Sequence, residues 1–211
     1  MIAVHFPVGP LGCNCTVLGD ETTGEAIVVD GGDDVPRIAS VLEEHRLRPR
    51  YLVHTHAHFD HIGALGELRE RVGGQGLLHP ADLPLYEMLE EQGRWVGIPI
   101  ARSPAPIDAE LEDGLVLKSG NVELTCLHTP GHTPGSTSFV VEVEGKPRLL
   151  SGDTLFRGSV GRWDLGGTTL EDIVTSIRAK LLVYPDDTIV IPGHGPATTV
   201  GTERLANPYL L

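Results

Sequence analysis

The chain has 211 residues, 40% of them hydrophobic and 21% charged. That balance builds a folded core in one ordinary domain and excludes a disordered chain. It holds no run of about 18 apolar residues, which excludes a membrane-spanning helix, and a net charge of −13 argues against nucleic acid, whose phosphates demand a positive surface.

Residues 1–30 show no basic stretch followed by an apolar one, so no secretion leader is expected. The three cysteines, Cys13, Cys15 and Cys126, are too few and too odd in number for a disulfide framework. A reducing cytoplasm is the expected setting. Cys13 and Cys15 read as small residues in or beside an N-terminal strand. Residues 26–30 form a short apolar run ending at Gly31-Gly32, which predicts a buried strand. Asp33 or Asp34 then offers a cap, Pro36 suits a first turn, and Ile38, Val41 and Leu42 share one helical face. Residues 51–53 predict a second buried strand, and a helix with Leu65 and Leu68 inward follows and ends before Gly73. Residues 76–79 predict a strand and residues 82–91 a helix. The proline-bearing stretch 93–110 predicts a loop, either a flap or a connection between halves. Strands are expected at 115–118, 122–128, 137–144, 148–151 and 188–191. A capping box at Thr168 and Glu171 opens a helix carrying Ile173, Ile177 and Leu181.

Ten histidines are unusual for this length, and they cluster. The run His56-Ala57-His58-Phe59-Asp60-His61 packs three imidazoles and a carboxylate into six residues. Polar groups at such density need partners, and imidazole with carboxylate is what zinc and its neighbours take. A spacing of two puts His56 and His58 on one side of an extended segment, with Asp60 and His61 just beyond. The run can therefore serve two adjacent ligand sets. Further along, His132, Asp153 and His194 each stand beside glycine, just after a predicted strand. Loops at strand ends are where rigid scaffolds place function.

The His-x-His-x-Asp-His run followed by Gly-His132, Gly-Asp153 and Gly-His194 resembles the metallo-β-lactamase-fold superfamily across about residues 12–195. The resemblance implies an α/β (α+β) fold, a four-layer αββα sandwich of two mixed sheets with outer helices and a metal cleft at one sheet edge. Residues 1–211 are expected to be one such domain. By the same resemblance His56, His58 and His132 hold one metal, Asp60, His61 and His194 hold a second, and Asp153 bridges them. Two divalent ions are implied, zinc first, with iron or manganese as alternatives.

Branches of the superfamily differ at these positions. β-Lactamases commonly carry Cys where Asp153 stands, flavo-diiron proteins replace the second His with Glu, and RNA-processing members add large insertions. Asn14-Cys15, the stretch from Leu78 to Tyr86, and Gly152-Asp153-Thr-Leu-Phe-Arg157 with Gly161-Arg162 resemble the short bacterial glyoxalase II-like branch. That branch hydrolyses acyl-glutathione thioesters such as S-lactoylglutathione. Full-length glyoxalase II adds a C-terminal helical domain with basic glutathione contacts, whereas seventeen residues follow His194 here. The thioester bond is therefore a firmer expectation than the thiol it releases. Two alternatives share the ligand residues, a mononuclear iron persulfide dioxygenase and an ester or lactone hydrolase. In the hydrolytic reading Asp60 is the expected catalytic residue, orienting the nucleophilic water. Arg157, Arg162 and Trp163 are the expected substrate contacts, because an acidic protein needs local cations to hold an anionic thiol. A small-molecule thioester is the expected partner, with neither nucleic acid nor membrane.

Overall fold

The computed structural model describes residues 1–98, 104–164 and 167–211. Its frame is two six-stranded mixed sheets. In the first, β1 (Ile2–Val8), β2 (Cys13–Gly19), β3 (Glu25–Val29), β4 (Arg48–Val53), β5 (Gln75–Leu78) and β6 (Ala109–Glu110) lie in chain order. They are linked by α1 (Val35–Glu44), α2 (Phe59–Ile62), α3 (Leu65–Val72), α4 (Leu83–Tyr86) and α5 (Leu89–Val96). In the second, β7 (Val116–Ser119), β8 (Val122–His128), β9 (Thr137–Val143) and β10 (Lys146–Gly152) continue into β13 (Ile189–Pro192) and β14 (Thr198–Thr199). The hairpin of β11 (Leu155–Phe156) and β12 (Ser159–Val160) and the helix α6 (Leu170–Ser176) intervene, and α7 (Val200–Ala206) follows.

The apolar runs read as fully buried strands are buried on both faces because each sheet lies between another sheet and helices. Along β3, Ile27 and Val29 point between the sheets, against Phe139, Leu150 and Ile191. Their neighbours Ala26 and Val28 point outward onto Ile38, Leu42, Leu65 and Leu68 of α1 and α3. The second sheet repeats the pattern. Leu150 and Ile191 face inward, while Leu149 and Val190 meet Ile173, Ile177, Leu181 and Val200. This is the αββα order that the resemblance implies.

Parallel pairing determines where the loops gather. β3 and β4 run parallel with Val29 opposite Val53, and β10 and β13 run parallel with Gly152 opposite Pro192. β8 is antiparallel to β9, which is antiparallel to β10, so β8 also points the same way as β10. The carboxyl ends of β3, β4, β8, β10 and β13 therefore collect at one edge. There the sheets are tied together by a hydrogen bond from Thr137 N to the Thr55 carbonyl and by a bridge between Cys13 and His194.

Local details depart from the sequence reading. The capping box lies one residue later, with Thr169 and Asp172 exchanging bonds. The Thr168 hydroxyl instead donates to the Gly131 carbonyl at 2.6 Å, next to His132. Asp34 occupies the cap position of α1 in a left-handed conformation without capping it, and its carboxylate accepts from Gly9 N. The helix expected at 82–91 is broken into a 3₁₀ turn at Pro80–Asp82, then α4 and α5. Of the expected loop at 93–110, residues up to Val96 continue α5, Ala109–Glu110 pairs with β5, and residues 99–103 lie outside the described residues.

Candidate metal centre

β4 runs straight into the histidine motif. His56 is buried at the strand end, His58 precedes α2, and Asp60 and His61 sit in its first turn. His58 Nδ1 stands 2.9 Å from His56 Nε2 and 3.0 Å from His132 Nε2. At most one proton can lie along each such contact. Burial pushes His56 well below its ordinary pKa, and burial with the His132 charge takes His58 down to about 3. His56 and His58 are thus held as neutral rings, and with His132 they offer ligand nitrogens close enough together to meet one cation.

A second set lies beside the first. His194 Nε2 is 3.2 Å from His61 Nε2 and 3.1 Å from Asp60 Oδ2. Asp153 stands between the two sets, with Oδ2 3.6 Å from His132 Nε2 and Oδ1 3.5 Å from His61 Nε2. Its Oδ1 is buried without a hydrogen-bond donor. An ionised oxygen left so would cost several kcal/mol unless a positive charge meets it. The residues present therefore fit two divalent cations. His56, His58 and His132 would hold one, Asp60, His61 and His194 the other, with Asp153 placed to reach both. His56, His61 and Asp153 also lie close enough to form a group of their own.

The far ring nitrogens are held by the protein. His132 Nδ1 donates to the Arg162 carbonyl at 2.8 Å, and His194 Nδ1 to the Leu11 carbonyl at 3.1 Å. His61 Nδ1 meets Asp30 Oδ2 at 3.0 Å, and Asp30 also accepts from Thr55 N and the Thr55 hydroxyl. Such contacts select the tautomer that turns Nε2 toward the metal. Burial opposes charge on His61, but the carboxylates of Asp60, Asp30 and Asp153 outweigh it and raise its pKa well above the ordinary value. Asp30, which sequence reasoning did not single out, sits just past β3 with φ +55°. Its one signal was a charged residue closing an apolar run before two glycines. Cys13 also packs behind His61, Sγ to Nδ1 3.5 Å, and burial pushes its thiol up to about 12. It is a neutral packing group there, and Cys15 is buried in the same strand. Asn14 clamps the His194 loop by donating to the Pro192 and Gly195 carbonyls. Gly193 in that loop has no room for a side chain, since a Cβ would collide with the Asp153 carboxylate and the His61 ring.

Three further histidines and the expected substrate contacts take different roles. His54 is buried, with Nδ1 2.9 Å from the His61 carbonyl. His79 and His128 stack face to face from the two sheets, centroids 4.0 Å apart. Arg157 is exposed in the β11–β12 turn. The Arg162 guanidinium pairs with Asp164, and its backbone carbonyl is the part that reaches the centre. Trp163 packs edge-on to Tyr209 beside the α6 core cluster.

An αββα frame with two ligand sets at one sheet edge is the architecture of a metal-dependent hydrolase. The comparisons with known proteins agree. The family model described as the metallo-beta-lactamase superfamily matches residues 8–194. "Hydroxyacylglutathione hydrolase GloC" of Haemophilus influenzae is 37% identical over 97% of this chain and 96% of its own. The solved structure of BLEG-1, described as a B3 metallo-beta-lactamase, is 37% identical with a TM-score of 0.89 over 99% of both chains. TTHA1623, solved in a di-iron-bound form, is 40% identical with a TM-score of 0.85 over the whole of both chains. The chain belongs to the metallo-beta-lactamase superfamily.

Proposed function

We propose that the protein is a dinuclear metallohydrolase that cleaves a thioester, of the kind S-lactoylglutathione represents. The observation that carries this reading is the pair of ligand sets with Asp153 between them, close to both His132 and His61. Similarity to GloC over nearly the full length of both chains supports the thioester. Divalent ions held here would make water nucleophilic near neutral pH and polarise a carbonyl.

The chain's own groups supply orientation. Burial works against charge on Asp60, but His61 and His194 outweigh it and hold its pKa well below the ordinary carboxylate value. Asp60 is thus ionised at neutral pH, able to accept a proton contact from water and direct a lone pair at the acyl carbon. Asp30 and the carbonyls of Leu11 and Arg162 keep the rings of His61, His194 and His132 from turning. Arg157, exposed on the β11–β12 turn, is the cation that would meet an anionic thiol group in this reading. A persulfide dioxygenase would use one iron held by two His and one Asp. Because that enzyme shares these ligand residues, the dinuclear hydrolase draws its support from the likeness to GloC and to TTHA1623 in its di-iron-bound form.

The test is a panel run on protein whose metals have been counted. It holds S-lactoylglutathione, an uncharged thioester, a lactone, a β-lactam (for the likeness to BLEG-1, despite Asp153), and glutathione persulfide with oxygen uptake. Thioester turnover above the others, lost with a chelator and restored by metal, is expected. Oxygen uptake on persulfide with one iron per chain would replace this reading by the dioxygenase.

A further inference from the structure

Asp82 is fully buried, yet no metal set includes it. It stands at the cap position of α4, where an aspartate ordinarily accepts from its own helix, and makes no such bond. Its carboxylate reaches two other loops. Oδ2 accepts from Ala57 N at 3.0 Å, between His56 and His58, and from the Thr133 hydroxyl at 2.8 Å, next to His132. Oδ1 accepts from Gly135 N at 2.6 Å in the same loop as His132. A Cβ on Gly135 would collide with this carboxylate, so glycine there leaves room for it. Gln92, across the break between α4 and α5, completes the buckle. It accepts from Phe59 N and donates to the Ala57 and Leu85 carbonyls.

The geometry points to Asp82 as a positioning residue that sets the spacing of His56 and His58, on one sheet, against His132, on the other. Apart from the candidate ligand rings themselves, it is the one side chain among the described residues that hydrogen-bonds to both loops. Asp60, His61 and His194 are braced by a different group, Asp30, Thr55 and Asn14. Loss of Asp82 therefore weakens the first set and spares the second. Asn in its place would turn its NH2 toward either Gly135 N–H or Ala57 N–H, and in both orientations two donors face each other. The inference rests on the metal reading above.

The experiment isolates each set in the full-length chain and titrates it with Co²⁺, read by visible absorption and elemental analysis. His194→Ala leaves the first set, and His132→Ala leaves the second. Asp82→Asn is expected to weaken Co²⁺ binding about 10–100-fold in the His194→Ala background and less than about twofold in the His132→Ala background. Thr133→Val, which removes one of the donors and keeps the carboxylate, is expected to cause a smaller loss in the same background only. Thr199→Ala, which uncaps the distant α7, is the stability control and should leave both affinities unchanged. Equal losses in both backgrounds, or none in either, overturn the positioning role. Should Asp82→Asn fail to fold, an absent or unselective effect of Thr133→Val overturns it. Wild-type protein that takes up no Co²⁺ removes the metal reading and this inference together, whereas two ions bound with no effect of Asp82 removes the inference alone.

Discussion

His79 and His54 show how burial that outweighs any counter-charge makes a histidine an acid-labile element. Burial, aided by the charge of His128, takes His79 to about 4, and burial takes His54 to about 4. The unfolded chain binds these protons near pH 6.5. Between about pH 6.5 and 4 the unfolded state holds more protons than the folded one, so stability is full above that window and falls as the pH drops through it. His79→Asn, which keeps an acceptor for Ala81 N, should flatten the fall in Tm of the metal-free protein between those limits. An unchanged slope would remove His79 from the account. For Asp60 the expected result is a loss of about 100-fold or more in kcat for Asp60→Asn with both metals still bound, in line with the worth of a positioned general base. Full activity would exclude its orienting role. Arg157→Ala should raise KM for an anionic thioester more than for a neutral one, and equal effects on both would show that the side chain meets no substrate charge.

The strands and helices were readable from pattern wherever burial alone decides them. The runs at 26–30, 122–128 and 188–191 became β3, β8 and β13 to within a residue or two at their ends. Two sites misread by one residue or one turn share a cause. At Thr168 the hydroxyl is drawn to the His132 loop, and the box moves to Thr169. At Asp82 the carboxylate is drawn to two loops, and the expected helix breaks. Tertiary bonds to the centre outcompeted local capping. The displaced box itself is measurable. Thr169→Ala should cost about 1 kcal/mol and lower Tm by about 2–4 °C while leaving thioester turnover intact, and a loss of activity would show that α6 supports the centre.

Across the whole molecule the two sheets meet through Phe139, the largest fully buried side chain, with Ile27, Val29 and Val53 opposite. The centre lies at the end of that same interface, so metal binding and sheet packing are coupled. Metal at 100 times its Kd adds about 2.7 kcal/mol to stability. Adding a chelator should therefore lower Tm by several degrees, and a Tm indifferent to metal would show that the ions do not join the sheets. Among the described residues no helix is long and apolar enough to cross a membrane.

The seven candidate ligand residues that the structure brings together were legible in the chain because their chemistry is local. The dense run from His56 to His61 and the recurrence of His132, Asp153 and His194 beside glycine after separate strands form a joint signal that is visible along the chain. Asp30, Asp82, Gln92 and the carbonyls of Leu11 and Arg162 were not legible in these roles, because each acts on a residue at least 25 positions away or through a backbone atom that carries no sequence signature. Side-chain identity is written along the chain, whereas the orientation of those side chains depends on which loops the parallel strands bring to one edge.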